Sequence, residues 1–361
     1  MKMIISAGGT GGHIYPALAI IDTFKKNETD FDVLYIGTHN RMENEIVPKR
    51  NIKYIGIEIY GFSKSIKRNL KTTLCLYKSY HKCLEIMKEY KPDIVVGVGG
   101  YVTMPVLLAA KKLKIKTVIH EQNSIPGMTN KFLSRGVDKI FVSFKSSIQY
   151  FPDASKCIYS GNPSSDNVRT LKPLSKTSLG FSKDKKLVIV TSGSLGSSAL
   201  NDKLITFLKL SENSNYEVLF ITGKRNYEEF TKNKFSNNIK IMPYLDNLAA
   251  LFKESDLIIS RAGASTIAEI KASLTPSILI PSPNVSNNHQ YYNALDMDSS
   301  GLAIKIDEDN LDGEKLYYQV SDLLTENNKE YKRIVAKLKM EKDESSSKLI
   351  YDEIKKVIKN V

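Results

Sequence analysis

The chain has no tryptophan, only three cysteines and only five histidines in 361 residues. Cys75, Cys83 and Cys157 are odd in number and form no Cys-x-x-Cys pair, so no disulfide framework is expected and a reducing cytosol is. The histidines include no His-Glu-x-x-His and no zinc-type cluster, so no metal and no cofactor is expected. Long hydrophobic runs are missing too. The longest uncharged stretch, Ile94 to Ala110, is about 17 residues and is broken by Gly97, Gly99, Gly100 and Pro105, too short and interrupted for a membrane span. No signal-peptide hydrophobic region is read ahead of the first glycine loop.

Acidic residues are absent from 59 to 84. The whole chain carries 52 Lys+Arg against 39 Asp+Glu, a net of +13. Residues 51–150 hold 17 basic and 6 acidic residues, whereas the rest of the chain is close to balance. A localised excess of this kind points to an anionic partner: nucleic acid, an acidic membrane or a phosphorylated substrate. At 100° per residue, Lys64, Lys67, Lys71, Lys78 and Lys82 share about 60° of arc, with Arg68 just beyond. Ile66, Leu70, Leu74, Tyr77, Tyr80 and Leu84 lie on the other side. Such a helix either rests on an anionic leaflet or turns its apolar side to the core and its lysines to water. No aromatic-rich recognition motif accompanies the lysines, and nucleic acid is not an expected partner.

Short β-branched runs alternate with helical patterns: Met3–Ile5, Val33–Ile36, Asp93–Val98, Thr117–Ile119 and Lys139–Val142, then Lys186–Thr191, Val218–Ile221, Ile239–Ile241, Leu257–Ile259 and Ser277–Ile280. Unbroken apolar strands between helices predict parallel sheets covered on both faces. The fold class is therefore α/β, with two Rossmann-like, doubly wound domains facing a cleft. The polar stretch Gly161 to Pro173 marks the boundary, and charged helix is expected from about Lys329 to Val361.

Three glycine-rich turns follow predicted strands: Gly8–His13 before a helix from about Pro16, Gly97–Tyr101, and Ser192–Gly196. Glycine lets backbone N–H groups approach a phosphate at a helix N-terminus, although tight strand-to-helix turns need glycine as well. The dinucleotide fingerprint fails, because Ile14 and Val102 stand where its third glycine belongs. The P-loop fails, because Gly223-Lys224 is followed by Arg225.

The motifs Ala7–Ala19, Val96–Val102, His120-Glu-Gln-Asn123 through Asn130, Gly161-Asn-Pro163, Arg261–Glu269 and His289–Ala294 occur in order over residues 4–294. Together they resemble the MurG family of peptidoglycan N-acetylglucosaminyltransferases. The resemblance implies a GT-B fold with an N-terminal acceptor and membrane-side domain, 1–162 joined by a C-terminal helix 342–361, and a nucleotide-sugar domain, 163–341. It implies a peripheral enzyme on the cytoplasmic face of the membrane. UDP-N-acetylglucosamine and lipid I are the partners it implies, together with an anionic membrane surface, and the reaction is inverting transfer to give lipid II.

By that resemblance His13 is the candidate base, with Glu121 as a rival. Thr10, Gly11, Gly12 and Asn123 contribute to the site from the first domain, and Gly99, Gly100 and Tyr101 serve the acceptor. Lys67, Lys71 and Lys78 face the membrane. Ser194 contacts phosphate, Leu245 frames the uracil, and Gln290 reads the sugar hydroxyls. Ala264, Ser265 and Thr266 open a helix toward the diphosphate, and Glu269 accepts from the ribose hydroxyls, a carboxylate offering two acceptor oxygens. Spacing alone favours a capping box for Thr266-x-x-Glu269. The sequence departs from the family at Ser192 and Leu195, and at Ser164 and Ser165, where an arginine usually follows Gly-Asn-Pro. A diacylglycerol or other lipid-linked glycosyltransferase, and a UDP-sugar 2-epimerase of the same fold, are the alternatives.

Overall fold

The computed structural model describes residues 1–61, 65–192, 198–341 and 345–359. The chain divides into two compact units, Met1–Ser164 with Glu344–Val361, and Ser165–Asp343. The first holds β1 (Lys2–Ser6), β2 (Asp32–Thr38), β3 (Lys53–Ile57), β4 (Ile94–Gly97), β5 (Lys116–Glu121), β6 (Lys139–Val142) and β7 (Cys157–Tyr159), in the order β3-β2-β1-β4-β5-β6-β7. The second holds β8 (Lys186–Thr191), β9 (Tyr216–Ile221), β10 (Ile239–Met242), β11 (Leu257–Ser260), β12 (Ser277–Leu279) and β13 (Ile304–Lys305), in the order β10-β9-β8-β11-β12-β13. The pairings are parallel: Ile5 sits beside Tyr35 and Val96, and Val190 beside Phe220 and Ile259.

The continuous apolar strands arise because both faces of each sheet are covered. Along β1, Met3 and Ile5 enter a core with the helices Gly11–Asn27 and Ser346–Lys359. Ile4 enters the opposite core, with the helices Ile66–Tyr90 and Thr103–Lys112. The C-terminal helix is fixed to the first unit by Glu28, which accepts from Tyr351 Oη at 2.6 Å and Lys355 Nζ at 2.7 Å. Strands β3, β7 and β13 have no counterpart among the predicted runs. They are edge strands of their sheets, only partly buried, and they lack the unbroken apolar run that betrays a central strand. The charged C-terminal stretch forms the helices Lys329–Met340 and Ser346–Lys359, the second within the C-terminal helix expected at 342–361.

In each sheet the strand order reverses once, between β1 and β4 and between β8 and β11. Ligands of doubly wound sheets bind beyond the carboxyl ends of the strands at such a reversal. The first two glycine turns follow β1 and β4, and Arg261-Ala-Gly-Ala264 follows β11.

Candidate functional site

The first helix starts at Gly11, five residues before the predicted start at Pro16. Pro16 lies inside it, where the missing N–H deprives only the Gly12 carbonyl of a partner. Gly11, Gly12 and His13 therefore form the first helical turn, with Thr10 as its extended N-cap. The loop before that turn lies on the second glycine loop. Gly8 N–H donates to the Gly99 carbonyl at 3.2 Å, and a Cβ on Gly100, whose φ is +89°, would run into the Gly8 carbonyl. A Cβ on Gly99 would stand 2.6 Å from His13 Cδ2 and 2.9 Å from Nε2. Glycine is required at both positions by contact as well as by φ. Tyr101, partly exposed, covers Gly61.

His13 Nδ1 lies 3.1 Å from the Gly8 carbonyl oxygen. A carbonyl only accepts, so Nδ1 carries the proton and the basic lone pair is on Nε2. That is the tautomer a general base needs.

Glu121, the rival, is buried and fully engaged. Its Oε1 accepts from Asn123 N at 2.9 Å and Asn123 Nδ2 at 3.2 Å, and its Oε2 from Gly127 N at 3.0 Å and Asn130 Nδ2 at 2.9 Å. It shapes the turn that carries Asn123, with each of its oxygens accepting twice. His120 is structural in the same way. Its Nε2 donates to the Gly161 carbonyl at 3.0 Å, and its Nδ1 accepts from Gln122 Nε2 at 2.9 Å. Burial pushes its pKa down to about 4, so it is neutral under ordinary conditions. Gln122 also donates to the Val98 carbonyl at 2.9 Å, tying the ends of β4 and β5 together. Ser164 and Ser165, at the usual arginine positions, are buried. Arg169 pairs with Asp166 at 3.8 Å.

In the second unit the helix Ala264–Ser273 starts after Gly263, its N-cap, with no side-chain cap. Thr266 is inside the first turn, so the capping box expected from spacing does not form. The entry to this helix is held from behind. Buried Arg261 donates through Nη1 to the Ile280 and Pro281 carbonyls and pairs with buried Glu308, while Asn293 Nδ2 donates to the Ala262 carbonyl at 3.2 Å. The polar groups at the front are not engaged. Ser265 Oγ is buried without a hydrogen-bond partner among the described residues. Glu269 makes no hydrogen bond or ion pair with the described residues, and burial alone pushes its carboxyl up to about 7. Gln290 opens the helix His289–Ser299; its Oε1 accepts from Ser282 N at 2.9 Å, which leaves Nε2 to donate elsewhere. Leu245 is half-buried beside Tyr244, whose ring lies 5.2 Å from Lys224 Nζ. Ser194 lies outside the described residues. Ser192, which departs from the family glycine, turns its hydroxyl inward to Asn201 Oδ1 at 2.7 Å.

Three Asp-x-Asp triplets occur, at Asp30, Asp296 and Asp307. Asp32 pairs with Lys53, Asp307 with Lys305, and Asp298 accepts from Lys305 N. Among the described residues no group of three or more His, Cys, Asp or Glu side chains is placed to hold a metal ion.

The helix Ile66–Tyr90 has three faces rather than the two expected. Thr72, Cys75, Ser79, Cys83 and Met87 are buried. Lys71, Lys78 and Lys82 are exposed. Leu70, Leu74 and Tyr77, expected opposite the lysines and partly in the core, are 66%, 57% and 64% exposed. They form a narrow stripe beside the lysines; only Tyr80 and Leu84 are half-buried. Lys64 lies outside the described residues, and so do the side chains of Ile66, Lys67 and Arg68. A second exposed pair, Met128 and Phe132 with Lys131 and Arg135, was invisible in the sequence because its helix, Met128–Leu133, is too short to show a period.

Residues 3–142 match the glycosyltransferase family 28 N-terminal domain, and residues 187–350 its C-terminal domain. A UDP-N-acetylglucosamine–N-acetylmuramyl-(pentapeptide) pyrophosphoryl-undecaprenol N-acetylglucosamine transferase of Halalkalibacterium halodurans is 42% identical over 330 residues, covering 90% of this chain and 91% of that one. The enzyme of the same name from Bacillus licheniformis is 41% identical over 330 residues, 90% of each chain. Among solved structures, MurG of Acinetobacter baumannii superposes with a TM-score of 0.80 at 27% identity, over 98% of this chain and 99% of that one. A putative UDP-N-acetylglucosamine 2-epimerase from Listeria monocytogenes has a TM-score of 0.75 at 14% identity, over 100% and 97%, a likeness of fold alone.

Proposed function

The chain belongs to glycosyltransferase family 28, and from that membership we propose its reaction. It transfers N-acetylglucosamine from UDP-N-acetylglucosamine to the 4-hydroxyl of the muramyl sugar of lipid I, forming lipid II. The observation that carries this is the 42% identity with a transferase so named across 90% of the chain. The matched stretch covers 90% of the chain, and family-model matches fall in both units, whereas the epimerase shares the fold at 14% identity.

In the mechanism we infer, the acceptor 4-oxygen attacks the anomeric carbon from the face opposite UDP. His13 Nε2 takes its proton, the bond to the diphosphate oxygen breaks, and UDP departs with the electron pair, so the configuration inverts. Base catalysis of this kind contributes about 10²–10⁴ in rate. The N-terminus of the helix Ala264–Ser273, with the Ser265 hydroxyl, faces charge developing on the diphosphate. Glu269 accepts from the ribose hydroxyls, Leu245 frames the uracil, and Gln290 Nε2 donates to the sugar. Asn123 and the first helical turn meet the acceptor. No step requires a metal.

Among the described residues no helix is long and apolar enough to cross a membrane. The lysine row and the outward stripe Leu70, Leu74 and Tyr77 are the composition of a surface that rests on an anionic leaflet, apolar groups in the interface and cations at the headgroups. Met128 and Phe132, with Lys131 and Arg135, have the same composition. Peripheral association there brings the enzyme to its lipid-linked acceptor.

Turnover of labelled UDP-N-acetylglucosamine against a lipid I analogue and diacylglycerol in parallel, with and without chelator, tests the reading. Transfer to the lipid I analogue alone is expected. Transfer to diacylglycerol, or epimerised donor with no transfer, overturns it.

A further inference from the structure

Glu43, in the short helix Glu43–Ile46, is fully buried. Its Oε1 accepts from Thr38 N at 3.1 Å and Thr38 Oγ1 at 2.7 Å, and its Oε2 from Gly9 N at 3.1 Å. No cation pairs with it among the described residues. A buried carboxylate without a counter-ion is tolerated only where it is well supplied with donors. The chain has also made room for it: a Cβ on Gly37 would stand 2.8 Å from Glu43 Cγ, and one on Gly8 would strike the carboxylate.

The bond to Gly9 has a second consequence. The Gly9 N–H and the Gly8 C=O belong to one planar peptide group. The Gly8 carbonyl is the acceptor of His13 Nδ1–H at 3.1 Å. A single peptide plane therefore stands between the Glu43 carboxylate and the His13 imidazole, donating to one and accepting from the other. A carboxylate drawing on the N–H polarises the amide and enriches its carbonyl oxygen, so consecutive bonds strengthen one another. Gly100 lies against the Gly8 carbonyl of this plane, and the peptide before it is held by the bond from Gly8 N–H to the Gly99 carbonyl.

We propose that Glu43 is a positioning residue for the base: through the Gly8–Gly9 peptide it holds His13 as the Nδ1–H tautomer and stabilises the imidazolium formed when Nε2 takes a proton. The logic is that of a base oriented by a third group, with a peptide interposed between carboxylate and imidazole. It rests on the assignment of His13 as base. It also withdraws the Gly9 amide from any anion at this loop, leaving Gly11 and Gly12 of the helical turn as the donors that face a ligand.

Two measurements test this on the full chain. The first is the ¹⁵N spectrum of His13 in the unliganded protein, which needs no activity. The proposal expects the Nδ1–H tautomer in the wild type and a mixture in Glu43→Gln, whose amide cannot accept from both Gly9 and Thr38. The second is steady-state kinetics of Glu43→Gln beside Thr38→Val, which removes one donor to the same carboxylate on the side away from Gly9. The expected result is kcat lowered roughly 10²-fold in Glu43→Gln with the donor KM unchanged, and kcat near wild type in Thr38→Val even where its melting temperature falls. A wild-type imidazole in the Nε2–H form overturns the proposal even if Glu43→Gln fails to fold. So does a Glu43→Gln enzyme with wild-type kcat, or equal losses in the two variants. A wild type with no transfer to lipid I would instead sink the functional reading, and the tautomer measurement would still stand by itself.

Discussion

Glu43 and Glu269 are carboxylates in the two units, Glu43 fully buried and Glu269 half-buried, and neither has a cationic partner among the described residues. Their surroundings are opposite. Glu43 accepts three hydrogen bonds from its own chain. Glu269 accepts none from the described residues, and burial pushes its carboxyl up to about 7. The first unit completes its site internally: glycine loop on glycine loop, carboxylate on amide, imidazole on carbonyl. The second leaves Glu269 and the Ser265 hydroxyl unsatisfied, groups whose burial is unfavourable until something polar arrives. A carboxylate satisfied by its own chain is scaffold, whereas one left unsatisfied, as Glu269 is in the second turn of its helix, keeps its acceptors open to a donor.

The largest effect should come from breaking a satisfied charge. Arg261→Met leaves Glu308 buried and alone, and removal of one partner of a buried pair costs about 3–5 kcal/mol. Chemical denaturation should show that loss. An unchanged midpoint would mean that engaged buried charges are not what holds the second unit's helix entry. Next comes the unsatisfied group. Glu269→Ala should weaken UDP binding by about 1.5–3 kcal/mol, the range for hydrogen bonds to a charged group, as calorimetry reads, with little loss of stability. A large stability loss with unchanged affinity would make Glu269 scaffold after all and erase the contrast.

The pH dependence of Glu269 sharpens the same point. A carboxyl whose pKa rises on folding from 4.5 to about 7 binds protons more tightly in the native state, so its ionisation removes stability as pH climbs through that interval. Glu269→Gln is exempt. Its melting temperature should exceed that of the wild type at pH 8, and the gap should close by pH 4.5. Ribose hydroxyls donate to the ionised form, so wild-type affinity for UDP should rise with pH through 7 while that of the Gln variant stays flat. A wild-type curve parallel to the variant would remove Glu269 from the contact.

Much of this was legible in the sequence, for definite reasons. Central strands such as β1, β4 and β8 are buried on both faces and spell unbroken apolar runs. The edge strands β3, β7 and β13 do not. The glycine turns announced themselves, but that Gly11 already belongs to a helix depends on the packing of Gly8 against Gly99. Glu269 was reached through its resemblance, and its spacing from Thr266 pointed to a cap that Gly263 supplies instead. Glu43 was not legible at all. It stands between Arg41 and Glu45 in a charged, turn-like stretch, and only the fold shows one of these side chains entering the slot that Gly8 and Gly37 leave open.

The smallest effect concerns the outer surface of the first unit, where the comparison changes sense: here the groups left without partners are apolar. Leu70, Leu74 and Tyr77 stand in water beside Lys71 and Lys78, while the helix contributes a separate row, from Thr72 to Met87, to the core. Since the outward stripe holds nothing together, Leu74→Ser should leave the melting temperature unchanged and reduce binding to vesicles containing anionic lipid. Each lysine near such a surface contributes about 1 kcal/mol, so Lys78→Gln should weaken that binding about fivefold at low salt, with the difference shrinking as salt screens it. Turnover on a soluble acceptor should stay the same in both variants. Equal vesicle binding by wild type and variants would confine the unsatisfied surfaces of this molecule to the nucleotide-sugar side, and the exposed stripe would then have to be read as an ordinary solvated helix face.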